Sequence, residues 1–376
     1  MPHIRKTKSG KYEILVSVGK DPETKEYKYK SKRFSTKDEA RDWAADVRLQ
    51  IKQGINFNAE DATLKEYLLK WLKEYAKPNV ATTTYDGYEM IVTKHIIPAL
   101  GDIKLKELKP IHIQSYQNQK LKHGRMKGQG GLSTTTVLQH HRVLSKALKQ
   151  AVMWQLIPNN PCKSIQAPKK QEVSINTMTK KELKYIIDHA GKKLKRIIIM
   201  GGYTGMRRSE IIGLHWEDVD LINESIAVRH ALVRTNEGIT IKPPKNKTSK
   251  RNIAISTTLA NMLKQIRKEQ KEYKLFYGQD YNDNDLVFTH EDGECMKPDY
   301  VSHNFRDLVR SLDLGKYKFH DLRHTHATLL LKSGEHPKKV QERLGHATIA
   351  TTLDIYSHVT ETMQRELADS FEDIMK

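Results

Sequence analysis

The apolar positions change period along the chain. Near the start they alternate: Tyr12, Ile14, Val16 and Val18 fall between Glu13, Leu15 and Ser17, the period of a half-buried strand. Ser9-Gly10 and Asp21-Pro22 are turn signals on either side. Tyr27 to Phe34 predicts a further strand, and Thr36 with Glu39 forms a capping-box pattern that opens a helix running to about Lys52. A three-stranded sheet plus helix is therefore expected over residues 1–56. From Thr63 the period becomes helical. Leu64, Tyr67, Leu68, Trp71, Leu72 and Tyr75 recur at spacings of three and four, with Lys65, Lys70 and Lys73 opposite. Further helices are expected at about 82–97, 110–122 and 133–154, with a break at Pro98-Ala99-Leu100-Gly101 and a basic loop from His123 to Gly131. This gives an all-α domain over residues 61–166. Pro158, Pro161 and Pro168 lead into a second linker. Thr179 and Glu182 form another capping box, opening a mixed, mainly-α region with a small antiparallel sheet over residues 176–376. The fold class is multidomain α+β.

Charge sharpens this division. The 376 residues carry a formal net charge of +20. Residues 1–52 hold 14 basic and 8 acidic side chains, residues 61–170 hold 18 and 7, and residues 171–376 hold 33 and 29. The first two segments have the electrostatic footprint of a polyanion binder, nucleic acid foremost. A basic sheet can enter a major groove, and basic helical faces can clamp a duplex through its phosphates. In the nearly balanced third segment, function must rest on particular residues. The mean hydropathy of −0.67 and the lack of any run near ~18 apolar residues argue against a membrane span. The N-terminus lacks the apolar core of a secretory signal. Two cysteines, Cys162 and Cys295, make neither a disulfide framework nor a Cys-based zinc site. A cytoplasmic protein, nucleoid-associated when bound, is expected.

Four stretches in the third segment carry candidate chemistry. They are Thr204-Gly205-Met206-Arg207-Arg208-Ser209-Glu210, Pro244-Lys245-Asn246-Lys247-Thr248-Ser249-Lys250-Arg251, His320-Asp321-Leu322-Arg323-His324-Thr325-His326, and Leu344-Gly345-His346 ten residues before Tyr356. The second reads as a hairpin tip between strands at 225–233 and 251–256. On a helix His320 and Arg323 are i and i+3 and share a face. In this order (Arg, Lys, His-x-x-Arg, Gly-His, Tyr) the pattern resembles the tyrosine recombinase family, most of all the integrases of temperate phages and integrative conjugative elements. The likeness spans nearly the whole chain. The first domain is similar to the family's arm-binding domain, the second to its core-binding domain, and residues 178–360 to its catalytic core.

The resemblance implies a phosphotyrosine mechanism without cofactor or metal. Tyr356 would attack the scissile phosphate and expel a 5′-hydroxyl, storing the bond energy in a 3′-phosphotyrosyl ester. Arg207 and Arg323 would hold the non-bridging oxygens through fork-like hydrogen bonds. His320 is the implied proton acceptor, His346 a phosphate donor, and the hairpin lysine the acid for the leaving oxygen. That lysine is Lys245 in one alignment and Lys247 in another; the distance to the strand near Ile253 favours Lys245. Glu210 reads as a brace, Arg208 as a surface or phosphate-contacting residue. His324 and His326 read as structural rather than as members of a metal site with His320. Tyr317 and Tyr300 are rival nucleophiles. Val359, Met363, Leu367, Phe371 and Ile374 form an apolar tail stripe, expected to dock on its own domain or on a neighbouring protomer. Implied partners are double-stranded DNA at core and arm sites, a homotetramer on a Holliday junction, an excisionase and a DNA-bending host protein. Competing readings are a chromosome-dimer resolvase of the same family, a type IB topoisomerase and a non-catalytic DNA-binding regulator.

Overall fold

The computed structural model describes residues 3–7, 9–20, 27–52, 62–170, 176–243, 250–356, 371–372 and 374–375. Its contacts divide the chain into two compact units, Met1–Glu172 and Val173–Lys376. The first unit opens with three antiparallel strands, β1 (His3–Lys6), β2 (Tyr12–Lys20) and β3 (Tyr27–Phe34), in the order β1-β2-β3. Alternation along β2 buries Ile14 and Val16 and leaves Leu15 outside. The buried pair packs on Ala40, Ala44 and Val47 of α1 (Lys37–Lys52). The expected capping box opens α1: the Glu39 amide donates to Thr36 Oγ1 and the Thr36 amide to the Glu39 carboxylate, both at 3.2 Å.

The helices of the same unit have their own core, built on Leu64, Leu68, Trp71, Ile96, Ile113, Leu144 and Leu148. They are α2 (Leu64–Trp71), α3 (Lys77–Asn79), α4 (Thr82–Ile91), α5 (Ile97–Leu100), α6 (Pro110–His123) and α7 (Thr134–Met153). Single π turns, Leu72–Ala76 and Val92–Ile96, join α2 to α3 and α4 to α5. The break expected over Pro98-Ala99-Leu100-Gly101 falls at the far end of that stretch, and the helix runs on to Leu100. Pro98 enters just after the wide turn, at the start of α5, where a missing N–H interrupts least. The chain then turns at Gly101.

The second unit begins with α8 (Lys180–His189), whose Thr179–Glu182 capping box forms as expected, followed by α9 (Lys192–Thr204) and α10 (Arg208–Ile212). Strands β4 (Val219–Asp220), β5 (Ser225–Val228) and β8 (Arg251–Ala254) form one antiparallel sheet, and β6 (Ala231–Thr235) and β7 (Gly238–Lys242) a separate hairpin. This corrects the single strand expected at 225–233. The chain leaves the sheet at Arg229-His230 and turns at 236–237 before the lysine-bearing stretch. Residues 244–249, with Lys245 and Lys247, lie outside the described residues. Helices α11 (Thr257–Tyr277), α12 (Pro298–Ser311), α13 (Asp321–Lys332), α14 (Pro337–Leu344) and α15 (Ile349–Tyr356) complete the unit. Its core centres on Ile197, Ile198, Ile211, Leu263, Phe305 and Leu322. Most of the tail stripe also falls outside the described residues; Phe371 and Ile374 are exposed.

Candidate active site

Three chain segments converge because a glycine lets them. Helix α9 ends at Gly205 in the left-handed conformation (φ 67°), and a Cβ there would lie 2.4 Å from Leu344 Cδ2 and 2.8 Å from His326 Cδ2. Any other residue would be both strained and obstructed. The turn delivers Arg207 to the N-cap of α10, where its backbone amide donates to Glu210 Oε2 at 3.0 Å and its Nη1 to Oε1 at 2.7 Å. Arg323, in the first turn of α13, is 2% exposed. Its Nη1 donates to the Gly205 carbonyl at 2.8 Å and its Nη2 to the Leu344 carbonyl at 2.7 Å. Arg207 Nη2 reaches the next carbonyl, that of Gly345, at 3.4 Å. The two arginines thus hold consecutive carbonyls of the turn that presents His346. A guanidinium has five N–H groups, more than the two that Arg323 gives to these carbonyls.

His346 is buried, and its Nδ1 shares a 2.9 Å hydrogen bond with Thr352 Oγ1. Thr352 is fully buried in α15, the helix that ends on Tyr356. The structure therefore brings together Arg207, Arg323, His346 and the helix bearing Tyr356; the Tyr356 side chain lies outside the described residues, as does Lys245. His320 precedes α13 and lies at the rim with Arg207 and Arg208, lining a 660 Å³ cavity. Arg208 also hydrogen-bonds Ser302.

Three guanidinium groups, those of Arg207, Arg251 and Arg323, gather about the buried Glu210 carboxylate. Glu210, 2% exposed, also accepts from Arg251, with Nη2 to Oε2 at 2.9 Å. Burial alone would raise the Glu210 pKa, but Arg251 and then Arg207 hold it below its ordinary value. Burial, then repulsion from Arg207, lowers Arg323 to about 9. His346 falls to about 3 through burial and the nearby Arg323 and Arg207. His320 is exposed as a residue, yet desolvation of its ring, then His324, Arg323 and Arg207, lowers it to about 4. Both imidazoles are neutral near pH 7, and His320 can accept a proton.

Two arginines that the motifs did not single out brace this arrangement. Arg251 Nε donates to the Arg343 carbonyl at 2.7 Å. Arg343 in turn donates to the Ala254 and Tyr203 carbonyls, each at 3.1 Å, and through Nε to His326 Nε2 at 3.1 Å. His326 Nδ1 donates to the Gly202 carbonyl at 2.9 Å. Both ring nitrogens of His326 are thus engaged, which fits its expected structural part. The only trace of these residues in the sequence is position: Arg251 closes the lysine-rich stretch and Arg343 precedes Leu344-Gly345-His346. Of the rival tyrosines, Tyr317 is buried and its hydroxyl donates to Glu182 Oε1 at 2.8 Å. Tyr300 packs edge-on to His290.

Comparison with known proteins gives the family. Residues 176–363 match the phage integrase family, residues 63–121 the phage integrase N-terminal SAM-like domain, and residues 3–51 an arm DNA-binding domain. A "tyrosine recombinase XerC-like" protein of Caldanaerobacter subterraneus subsp. tengcongensis is 30% identical, over 98% of this chain and 97% of its own. The ICEBs1 integrase of Bacillus subtilis is 25% identical, over 99% of this chain and 100% of its own. Among solved structures, the Tn1549 transposon integrase in complex with a circular intermediate DNA shares the fold with a TM-score of 0.68 at 24% identity, covering 82% of this chain and 99% of that one. No helix among the described residues is long and apolar enough to cross a membrane. The chain belongs to the phage integrase family, the tyrosine recombinases that carry out site-specific DNA recombination.

Proposed function

We propose that this recombinase is the integrase of a mobile element, cutting and resealing two DNA duplexes one strand at a time through a Holliday junction. The reading rests chiefly on one observation: Arg207, Arg251 and Arg323 gather about Glu210 beside the helix that bears Tyr356. A phosphodiester is an anion that such a cluster of guanidinium groups would attract. Tyr356 attacks phosphorus, the bond to the 5′-oxygen breaks, and the enzyme is left as a 3′-phosphotyrosyl ester. An unperturbed tyrosine has a pKa near 10, so it needs an acceptor, and neutral His320 takes its proton. Arg207 and Arg323 donate to the non-bridging oxygens as charge grows there, and His346 adds a further hydrogen bond. Such donors commonly contribute ~3–4 kcal/mol each. Lys245, or Lys247, protonates the departing 5′-oxygen. Attack by another strand's 5′-hydroxyl reverses the sequence and reseals without a high-energy cofactor.

In this reading residues 1–56 hold arm sites, while residues 61–166 and 176–376 clamp the core site. Four protomers act together, aided by an excisionase and a DNA-bending host protein. The chromosome-dimer resolvase alternative draws on the XerC-like relative, but the arm DNA-binding match at residues 3–51 favours an integrase. The test is a nicked suicide substrate carrying the attachment core, resolved on a denaturing gel with chelator present. A covalent adduct that vanishes in Tyr356→Phe is expected. An adduct that persists in Tyr356→Phe assigns the wrong nucleophile, and bound but uncut DNA for the native chain points to a regulator.

A further inference from the structure

We propose that His215, Asp218 and His230 form a binding site for a borderline divalent transition ion, zinc foremost, which fastens the base of the β6–β7 hairpin and takes no part in strand cleavage. One candidate ligand atom from each residue lies within 4.8 Å of the others. The residues come from two segments: His215 precedes a 3₁₀ turn (Trp216–Asp218) that Asp218 ends, and His230 lies in the connection between β5 and β6. Gly213 makes their approach possible. A Cβ there would lie 2.5 Å from the Leu232 amide nitrogen and 3.0 Å from the Ala231 carbonyl carbon. The backbone that follows His230 thus packs directly on the backbone that precedes His215.

Each donor is prepared for a metal. His215 Nδ1 donates to the Gly213 carbonyl at 3.1 Å. This fixes the tautomer and turns the Nε2 lone pair outward, the arrangement that carbonyl-oriented histidine ligands adopt. The Asp218 side chain is 0% exposed, and its Oδ1 has no hydrogen-bond partner. The Arg229 guanidinium forms an ion pair with that oxygen at 3.4 Å, from a side chain 63% exposed. His230 Nδ1 donates to Asp218 Oδ2 at 2.7 Å, and a bound ion takes the place of that proton, which is released to solvent. Two donors about 2.0–2.2 Å from a tetrahedral ion are about 3.4 Å apart. The pair therefore opens by less than about 1 Å to admit one. Two imidazoles with one carboxylate select zinc, cobalt or nickel over magnesium or calcium, which take oxygen ligands. Water completes the shell.

The position gives the ion a mechanical role. Strand β5 pairs with β8, and the chain between them passes through His230, the β6–β7 hairpin and residues 244–249. An ion at this point ties the entry of that excursion to the 3₁₀ turn before β4.

The experiment uses the tag-free full chain, stripped with chelator and titrated with zinc. Native mass spectrometry should find one zinc per chain. At a hundredfold excess over Kd the unfolding transition should rise by about 5–10 °C. Cobalt in its place should give the visible absorption of a tetrahedral nitrogen–oxygen site. His215→Gln and His230→Gln should each abolish both signals while the metal-free transition stays within about 2 °C of native. Undiminished zinc binding in both variants would put the ion elsewhere. A native chain whose transition ignores zinc would reduce the cluster to a hydrogen-bonded His–Asp pair. Either result overturns the proposal.

Discussion

The helical region at residues 61–170 and the recombinase core use positive charge in opposite ways. The first has 18 basic side chains against 7 acidic, and many, such as Lys122, Lys127 and Lys149, stand exposed. The second is nearly balanced, yet Arg323 is buried, the Arg251 side chain is 6% exposed, and each is fixed by two or more named acceptors. A mobile surface cation attracts a duplex at a distance and is screened by salt. A buried guanidinium held in place meets a phosphate oxygen without reorganising, which lowers a barrier rather than a dissociation constant. Total charge therefore locates binding, and fixation locates chemistry.

The largest expected effect strikes the carboxylate that Arg207 and Arg251 share. Glu210→Ala leaves Arg207 and Arg251 without their shared carboxylate, and Arg251 is 6% exposed at its side chain. Breaking a buried ion pair from one side costs about 3–5 kcal/mol. Denaturant unfolding should show that loss in the Val173–Lys376 unit, with little change in the transition of the helical region. Equal losses in both would erase the distinction.

Arg323→Lys tests fixation itself. A lysine keeps the charge but cannot serve the Gly205 and Leu344 carbonyls and a phosphate from one planar group. Single-turnover cleavage should fall by about 10²–10³-fold, while affinity for the same DNA, read by gel shift, changes by only a few fold. Parallel losses in cleavage and affinity would mean that this arginine is merely another binding cation.

Acid sharpens the comparison, because both regions bury neutral imidazoles. His140 in the helical region and His326 in the core are each lowered to about 4, chiefly by burial. The unfolded chain binds protons near 6.5, so the stabilising contribution is fully present above that pH and is lost as pH falls toward 4. The surroundings differ. His326 has a partner at each nitrogen, whereas His140 Nε2 and the neighbouring His95 Nδ1 have no hydrogen-bond partner. His326→Gln keeps a donor and an acceptor and removes the titration. It should flatten the acid slope of the core by up to about 3 kcal/mol between pH 6.5 and 4. An unchanged slope in stability-versus-pH curves would assign the acid sensitivity to other groups.

The sequence was readable where a property repeats locally. Period-two and period-3.6 patterns located the elements, and the Thr36–Glu39 and Thr179–Glu182 boxes set two helix starts because their partners lie three residues apart. Arg207, His320, Arg323 and His346 were legible as candidates because residue type and order carry the family resemblance, and the fold draws Arg207, Arg323 and His346 to one turn. The braces were not. Arg251 finds Glu210 41 residues away, and Arg343 finds the Tyr203 carbonyl 140 residues away. Contacts made by tertiary folding leave no period. The π turn at 72–76 hid for a different reason: the buried positions Leu64, Leu68, Leu72 and Ala76 keep a spacing of four through it, which an α-helix also shows. The break at Arg229-His230 hid because Ser225 to Val233 alternates like one strand, although the chain leaves the sheet midway.

The smallest effect belongs to the helical region. Lys127 is exposed in the loop from His123 to Gly131, which Arg125 closes through its amide to the Gly130 carbonyl and its Nε to the Gly131 carbonyl, both at 3.2 Å. If this loop follows the duplex backbone, Lys127→Gln removes one phosphate contact and nothing from the site. The slope of log affinity against log salt should then shallow by about 0.9, and affinity at moderate salt should fall a few fold. The rate at which bound complexes become covalent should not change. A fall in that rate would show that a mobile surface cation reaches the chemistry, and the division between attracting and fixed charge would fail at its least protected point.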